Sequence, residues 1–142
     1  MQEWEYQQVS RGQTETEKRN RDIVEIVCQA FNDHDPDSIL EHFAEKSEWL
    51  LSRGTPPDGM TIRGKAEIRA MLEHRFFSIP DMAWEIHGHW ADSDRVCSEW
   101  TVSGTEANGA KLEWLGCDLW RFNRDGKIVR KDTYWKYASG EA

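Results

Sequence analysis

The chain changes its periodicity once. Between Thr14 and Phe77 apolar residues return at helical intervals: Ile23, Ile26, Val27, Ala30 and Phe31 form one stripe, Ile39, Leu40 and Phe43 a second, and Ile68, Met71, Leu72 and Phe76 a third. Thr14-x-x-Glu17 is a capping box that starts the first helix, and Asn32-Asp33-His34 is predicted to end it. Asp35 then caps a second helix whose first residue is Pro36. Ser47 to Arg53 is strand-like, Thr55-Pro56-Pro57-Asp58-Gly59 is a loop, and Lys65 to Phe77 forms the third helix, which Pro80 prevents from continuing.

From Met82 onward the period falls to two. Strands are predicted over Met82 to Trp90, Arg95 to Gly104, Lys111 to Phe122 and Lys127 to Tyr137. Turn sequences separate them at Ala91-Asp92-Ser93-Asp94, Asn108-Gly109 and Asn123-Arg124-Asp125-Gly126. Helices first and a meander afterwards give an α+β fold: a curved antiparallel sheet and three N-terminal helices enclosing a pocket. Residues 1–13 are polar and aperiodic and read as a flexible tail, leaving 14–142 as a single domain, the size one core can serve.

Alternation also sorts the strands by face. Trp114, Gly116, Asp118, Trp120 and Phe122 share one face, joined by Val96, Trp100 and Val102 of the preceding strand, with Trp84 adding to the enclosure. Leu115, Cys117 and Leu119 lie on the other face, and an apolar second face on a central strand predicts a partner covering it, here a homodimer through the convex side. On the first face Asp118 is out of place, since a mid-strand carboxylate is costly without a partner. Two registers of the last hairpin are open. A four-residue loop sets Asp118 opposite Lys131 and turns Val129, Lys131, Thr133 and Trp135 inward; a three-residue loop with Gly126 in a left-handed bulge sets it opposite Asp132. The first fits the pattern of the strand better, leaving Arg130, Asp132 and Lys136 in solvent.

Composition narrows the partners. A net charge of −8 without a run of basic residues excludes a polyphosphate ligand, so no nucleic acid is expected. No stretch is apolar enough to span a membrane and the first residues lack a secretory pattern, which predicts a cytoplasmic protein. Cys28, Cys97 and Cys117 are too widely spaced for a zinc knuckle and read as buried free thiols. His87 and His89, expected on one strand face, lack a third ligand, so no metal is expected; His34, His42 and His74 read as surface or capping groups. Arg53 and Arg75 could reach the pocket mouth and hold an acidic ligand, although either position also suits a surface residue.

Ala30-Phe31-Asn32 before Asp35-Pro36, Phe43-Ala44-Glu45, Ile62-Arg63-Gly64-Lys65-Ala66-Glu67-Ile68, Ile79-Pro80-Asp81-Met82, Trp100-Thr101-Val102-Ser103-Gly104-Thr105, Gly116-Cys117-Asp118 and Asp125-Gly126-Lys127-Ile128 occur in an order that resembles the nuclear transport factor 2-like superfamily. The likeness runs from about Arg21 to Tyr137 and is nearest to its SnoaL-like polyketide cyclase and ketosteroid isomerase relatives. The resemblance implies a conical sheet, a pocket, dimerisation through the back of the sheet, and a pocket carboxyl at Asp118. Leu51 and Val27 stand where the isomerases carry their proton-shuttling carboxylate and oxyanion tyrosine, and Glu106 where the cyclases carry a histidine.

The expected function is therefore binding of a small hydrophobic molecule, with cofactor-independent isomerase, cyclase or lyase chemistry in which Asp118 moves a proton and Lys131 tunes it. Trp84, Trp100, Trp114, Gly116, Trp120, Thr133 and Trp135 are the expected ligand-binding residues. The alternative is a non-catalytic ligand-binding or dimeric interaction module of the same fold.

Overall fold

A computed structural model describes residues 13–138. The predicted tail, apart from Gln13, lies outside the described residues, as do residues 139–142. Helix α1 (Glu15–Asn32) starts at Thr14, whose side chain accepts from the Glu17 N–H at 3.1 Å while Glu17 Oε1 accepts from the Thr14 N–H at 3.0 Å. Its buried side is Val24, Val27, Cys28 and Phe31, with Glu17 and Asn20 continuing the line; Ile26, expected on that stripe, is exposed. Asp35 caps the short helix α2 (Pro36–Leu40) as Pro36 at its first position foretold. Helix α3 (Lys65–Ser78) buries Ile68, Leu72 and Phe76.

Six strands form one sheet: β1 (Phe43–Leu50), β2 (Thr61–Arg63), β3 (Ala83–Asp92), β4 (Arg95–Thr105), β5 (Lys111–Phe122) and β6 (Ile128–Trp135), in the order β2-β1-β6-β5-β4-β3. Three features differ from expectation. The sheet is mixed, because β1 pairs with β6 in parallel while every other pair is antiparallel. The first strand also begins at Phe43 rather than Ser47, and the three-residue strand β2 was not foreseen, being too short to show a period.

The last hairpin follows neither expected register. Phe122 pairs with Ile128 across a five-residue connection, and an irregularity between Arg121 and Phe122 then sets Arg121 against Arg130, so Asp118 lies opposite Thr133 and Trp120 opposite Lys131. Gly126 adopts φ +81° in the connection, as the bulged alternative supposed, but the extra residue falls at Val129. The shift restores the face assignment: Lys131, Thr133 and Trp135 point inward with Asp118, while Ile128 takes the buried place expected for Val129.

A second irregularity, between Ile86 and Gly88 of β3, separates the paired histidines. His87 Nε2 meets Thr101 Oγ1 at 2.8 Å on the convex face, whereas His89 Nδ1 meets Ser98 Oγ at 2.7 Å on the concave one. The two imidazoles expected on one face thus lie on opposite faces, and among the described residues no group of three His, Cys, Asp or Glu is gathered as a metal site would require.

Candidate functional site

The concave face has a polar floor made almost wholly from tryptophan N–H groups and four polar side chains. Asp118 is 4% exposed. Its Oδ1 accepts from Thr133 Oγ1 at 2.7 Å and from Lys131 Nζ at 3.0 Å, and its Oδ2 accepts from Trp100 Nε1 at 2.9 Å. Lys131 Nζ donates also to Thr133 Oγ1 at 2.8 Å, and Trp49 Nε1 reaches the same hydroxyl at 3.0 Å. Trp120 Nε1 donates to Ser98 Oγ at 3.1 Å, directly beside Asp118 in the ladder. A buried charge persists only when paired and hydrogen-bonded, and Asp118 satisfies both conditions.

The cation is caged as closely. Lys131 Nζ stands 4.3 Å from the Trp49 ring centroid, 5.1 Å from Phe31 and 5.5 Å from Trp120. Burial lowers its pKa, while Asp118 acts in the opposite direction by charge and hydrogen bond. The pairing expected between Asp118 and Lys131 exists, but it is diagonal: Thr133 is the residue directly opposite, and the long lysine side chain reaches across.

Gly116 explains how Trp100 reaches Asp118. It lies between Trp100 on β4 and Trp135 on β6, and a Cβ there would come within 2.5 Å of the Trp100 ring and 2.6 Å of the Tyr134 carbonyl oxygen. Without a side chain at 116 the indole lies flat over the strand and its Nε1 meets the carboxylate. Trp135 then packs edge-on to Trp100, with centroids 6.3 Å apart, and tilted against Trp114 at 5.2 Å.

At the open end of the cone is a cavity of about 140 Å³ lined by Leu51, Ser52, Arg53, Arg75, Ile79, Met82, Glu106, Leu112, Trp114 and Trp135. Neither Asp118 nor Lys131 lines it, so of the expected residues it gathers Trp114 and Trp135 alone. Trp84 instead packs into the core on Phe31, 5.4 Å between centroids, and Trp100, Trp120 and Thr133 belong to the floor. Arg53 and Arg75 both do reach the mouth, as one reading of the sequence allowed. Arg75 Cζ lies 5.1 Å from the Trp49 centroid and 5.8 Å from Trp135; Arg53 Cζ lies 5.3 Å from Trp114 and 4.9 Å from Tyr137. Burial lowers the Arg75 pKa, to about 10. Leu51 and Glu106, singled out as departures from family patterns, also line this cavity, whereas Val27 is fully buried in the core.

Sequence reasoning missed Trp49, which anchors Thr133 and caps Lys131; the alternation of Ser47 and Trp49, both buried, was its one local signal. Ser98 was missed because a small hydroxyl in a strand carries no pattern.

On the convex face Leu115 and Leu119 are exposed, at 54% and 44%, beside exposed Trp90 and Tyr134, and Cys117 is half-buried. No described helix is long and apolar enough to cross a membrane.

The model of the SnoaL-like domain family matches residues 24–131, most of the chain. No curated protein matches. Among solved structures, Bal32a from a soil-derived mobile gene cassette is 19% identical, with 84% of this chain and 91% of that one covered and a TM-score of 0.75. A Xanthomonas campestris pv. campestris protein described as a polyketide cyclase is 25% identical over 85% and 93%, with a TM-score of 0.74. SalBIII, described as an epoxide hydrolase/cyclase-like enzyme of pyran ring formation in the polyether salinomycin, is 20% identical over 87% and 95%, with the same score.

Proposed function

The chain belongs to the SnoaL-like domain family, and from that premise we propose that it binds a small, flat, hydrophobic molecule in the cavity at the open end of the cone. One observation carries the reading: at that end two indoles, Trp114 and Trp135, and the apolar side chains of Leu51, Ile79, Met82 and Leu112 surround a space that protein does not fill. Asp118 and Lys131 serve as the buried pair that fixes the floor beneath the indoles. Saturable quenching of tryptophan fluorescence by acetophenone is the expected result, lost in Ile79→Trp, where the new indole occupies the cavity. Unsaturable, non-specific quenching by acetophenone in the wild type would remove the reading.

A second reading is favoured by the buried carboxylate itself. Asp118 on the concave face, separated from the mouth by the Trp100–Trp135 pair, becomes an acid/base if Trp135, which is only half-buried, swings aside. The chain would then carry out cofactor-independent isomerisation, lysis or the ring closure for which its structural neighbours are named. Deuterium exchange at the acetophenone methyl group, followed by NMR, separates the two. Exchange accelerated by the wild type and lost in Asp118→Asn supports catalysis, and exchange at the buffer rate in both leaves a binding domain.

We propose further that a second copy of this chain covers the convex face at Leu115, Cys117 and Leu119. Sedimentation is expected to show a dimer that Leu115→Glu converts to monomer; a wild-type monomer at micromolar concentration refutes it.

A further inference from the structure

The mouth cavity has a charge that its surroundings do not balance. Arg53 and Arg75 both line it, and among the described residues neither has a carboxylate within ion-pair distance. Their guanidinium carbons instead lie over rings: Arg75 over Trp49 and Trp135, Arg53 over Trp114, Trp135 and Tyr137. The nearest buried carboxylate is already committed, since Asp118 holds Lys131 at 3.0 Å. Glu106 is the one acid lining the cavity and forms no ion pair with either arginine, so the lining carries two positive charges against one negative. In a chain of net charge −8 the ordinary expectation is the reverse.

An arginine held over indole faces keeps the edge of its guanidinium free, and that edge is the part that grips a carboxylate with two parallel hydrogen bonds. The cavity size selects what the carboxylate is attached to. At about 140 Å³ it is close to the roughly 150 Å³ of an apolar cavity that accepts one benzene ring. Trp114 and Trp135, packed on each other at 5.2 Å, give it one aromatic wall, and Leu51, Ile79, Met82 and Leu112 supply the rest of its apolar lining.

We propose that the ligand is an anion, a single-ring aromatic carboxylate, whose ring packs in the cavity against the Trp114–Trp135 pair and whose carboxylate is held by Arg75 with Arg53 closing the rim. The proposal rests on the cavity being the binding site and adds the charge of the occupant. Burial that lowers the Arg75 pKa fits a cation waiting for its counter-ion.

Calorimetric titration of the full chain with benzoate and with its neutral isostere benzamide tests it. Benzoate is expected to bind roughly ten- to a hundredfold more tightly, the range a charge-assisted hydrogen-bond pair confers. Arg75→Gln should bring benzoate to the level of benzamide and leave benzamide within about twofold. Arg53→Gln, at an exposed position where folding is not at risk, should lower benzoate affinity less, and the thermal melt of each variant checks the fold. Equal affinity of wild-type protein for the two probes overturns the anion assignment and leaves the cavity reading standing. Binding of neither overturns both.

Discussion

Lys131 and Arg75 lie against the same indole and live in opposite circumstances. The ammonium is 4.3 Å and the guanidinium carbon 5.1 Å from the Trp49 ring, yet Lys131 has a carboxylate and a hydroxyl within 3.0 Å while Arg75 lies over aromatic faces with no carboxylate of the described residues in ion-pair contact. The floor is largely self-satisfied: Asp118, Lys131, Thr133, Ser98 and the indole N–H groups of Trp49, Trp100 and Trp120 are hydrogen-bonded to one another. The mouth is unfinished, with charge, ring faces and empty volume in one place. Burial and family position single out Asp118, but incompleteness, which is what a ligand needs, singles out Arg75.

If that contrast is right, the largest effect falls on the floor. Lys131→Met leaves Asp118 buried beside neutral donors alone and should cost about 3–5 kcal/mol in urea unfolding at pH 7. Asp118→Asn should cost a similar amount by stranding the ammonium, and the double variant should cost clearly less than the sum, since the two groups form one unit. Additive losses would mean the pair is not the unit described.

Gly116→Ala tests how the floor is roofed. A methyl group 2.5 Å from the Trp100 ring forces the indole to lift, for an expected loss of about 1–3 kcal/mol and a shift in tryptophan emission as the Trp100–Asp118 bond lengthens. An unchanged melt would show that the ring has room to spare.

The smallest effect belongs to the mouth. Arg75→Met removes an unpaired cation and should leave stability within about 1 kcal/mol of wild type, although Arg75 touches the same indole as Lys131. A loss as large as that of Lys131→Met would place Arg75 in the floor and erase the distinction.

The face on which each β5 residue lies was readable directly, because period-two alternation survives any register: Trp114, Asp118 and Trp120 are buried and Leu115 and Leu119 exposed as the pattern requires. Register was not readable, because the five-residue connection and the extra residue at Val129 compensate each other in parity and leave the pattern unchanged. His87 and His89 failed for the complementary reason, a single extra residue that inverts parity midway along β3. The parallel pairing of β1 was hidden too, since one strand's alternation does not record the direction of its neighbour. The mouth cavity draws on α3, β5, β6 and the segments after β1, α3 and β4, and only the assembled fold brings Arg53 and Arg75 together.

The strand order also sets the sequence in which the chain can fold. Strands β3 to β6 follow one another through short connections and can zip as local hairpins, whereas β1 must wait for β6, the last strand made, before Phe43 meets Ile128 and Trp49 meets Lys131. Contacts between strands so far apart in the sequence are the slow ones. During synthesis the first strand therefore leaves the ribosome with Phe43 and Trp49 lacking their β6 neighbours, and the helices and β2 are their shelter until the final strand arrives.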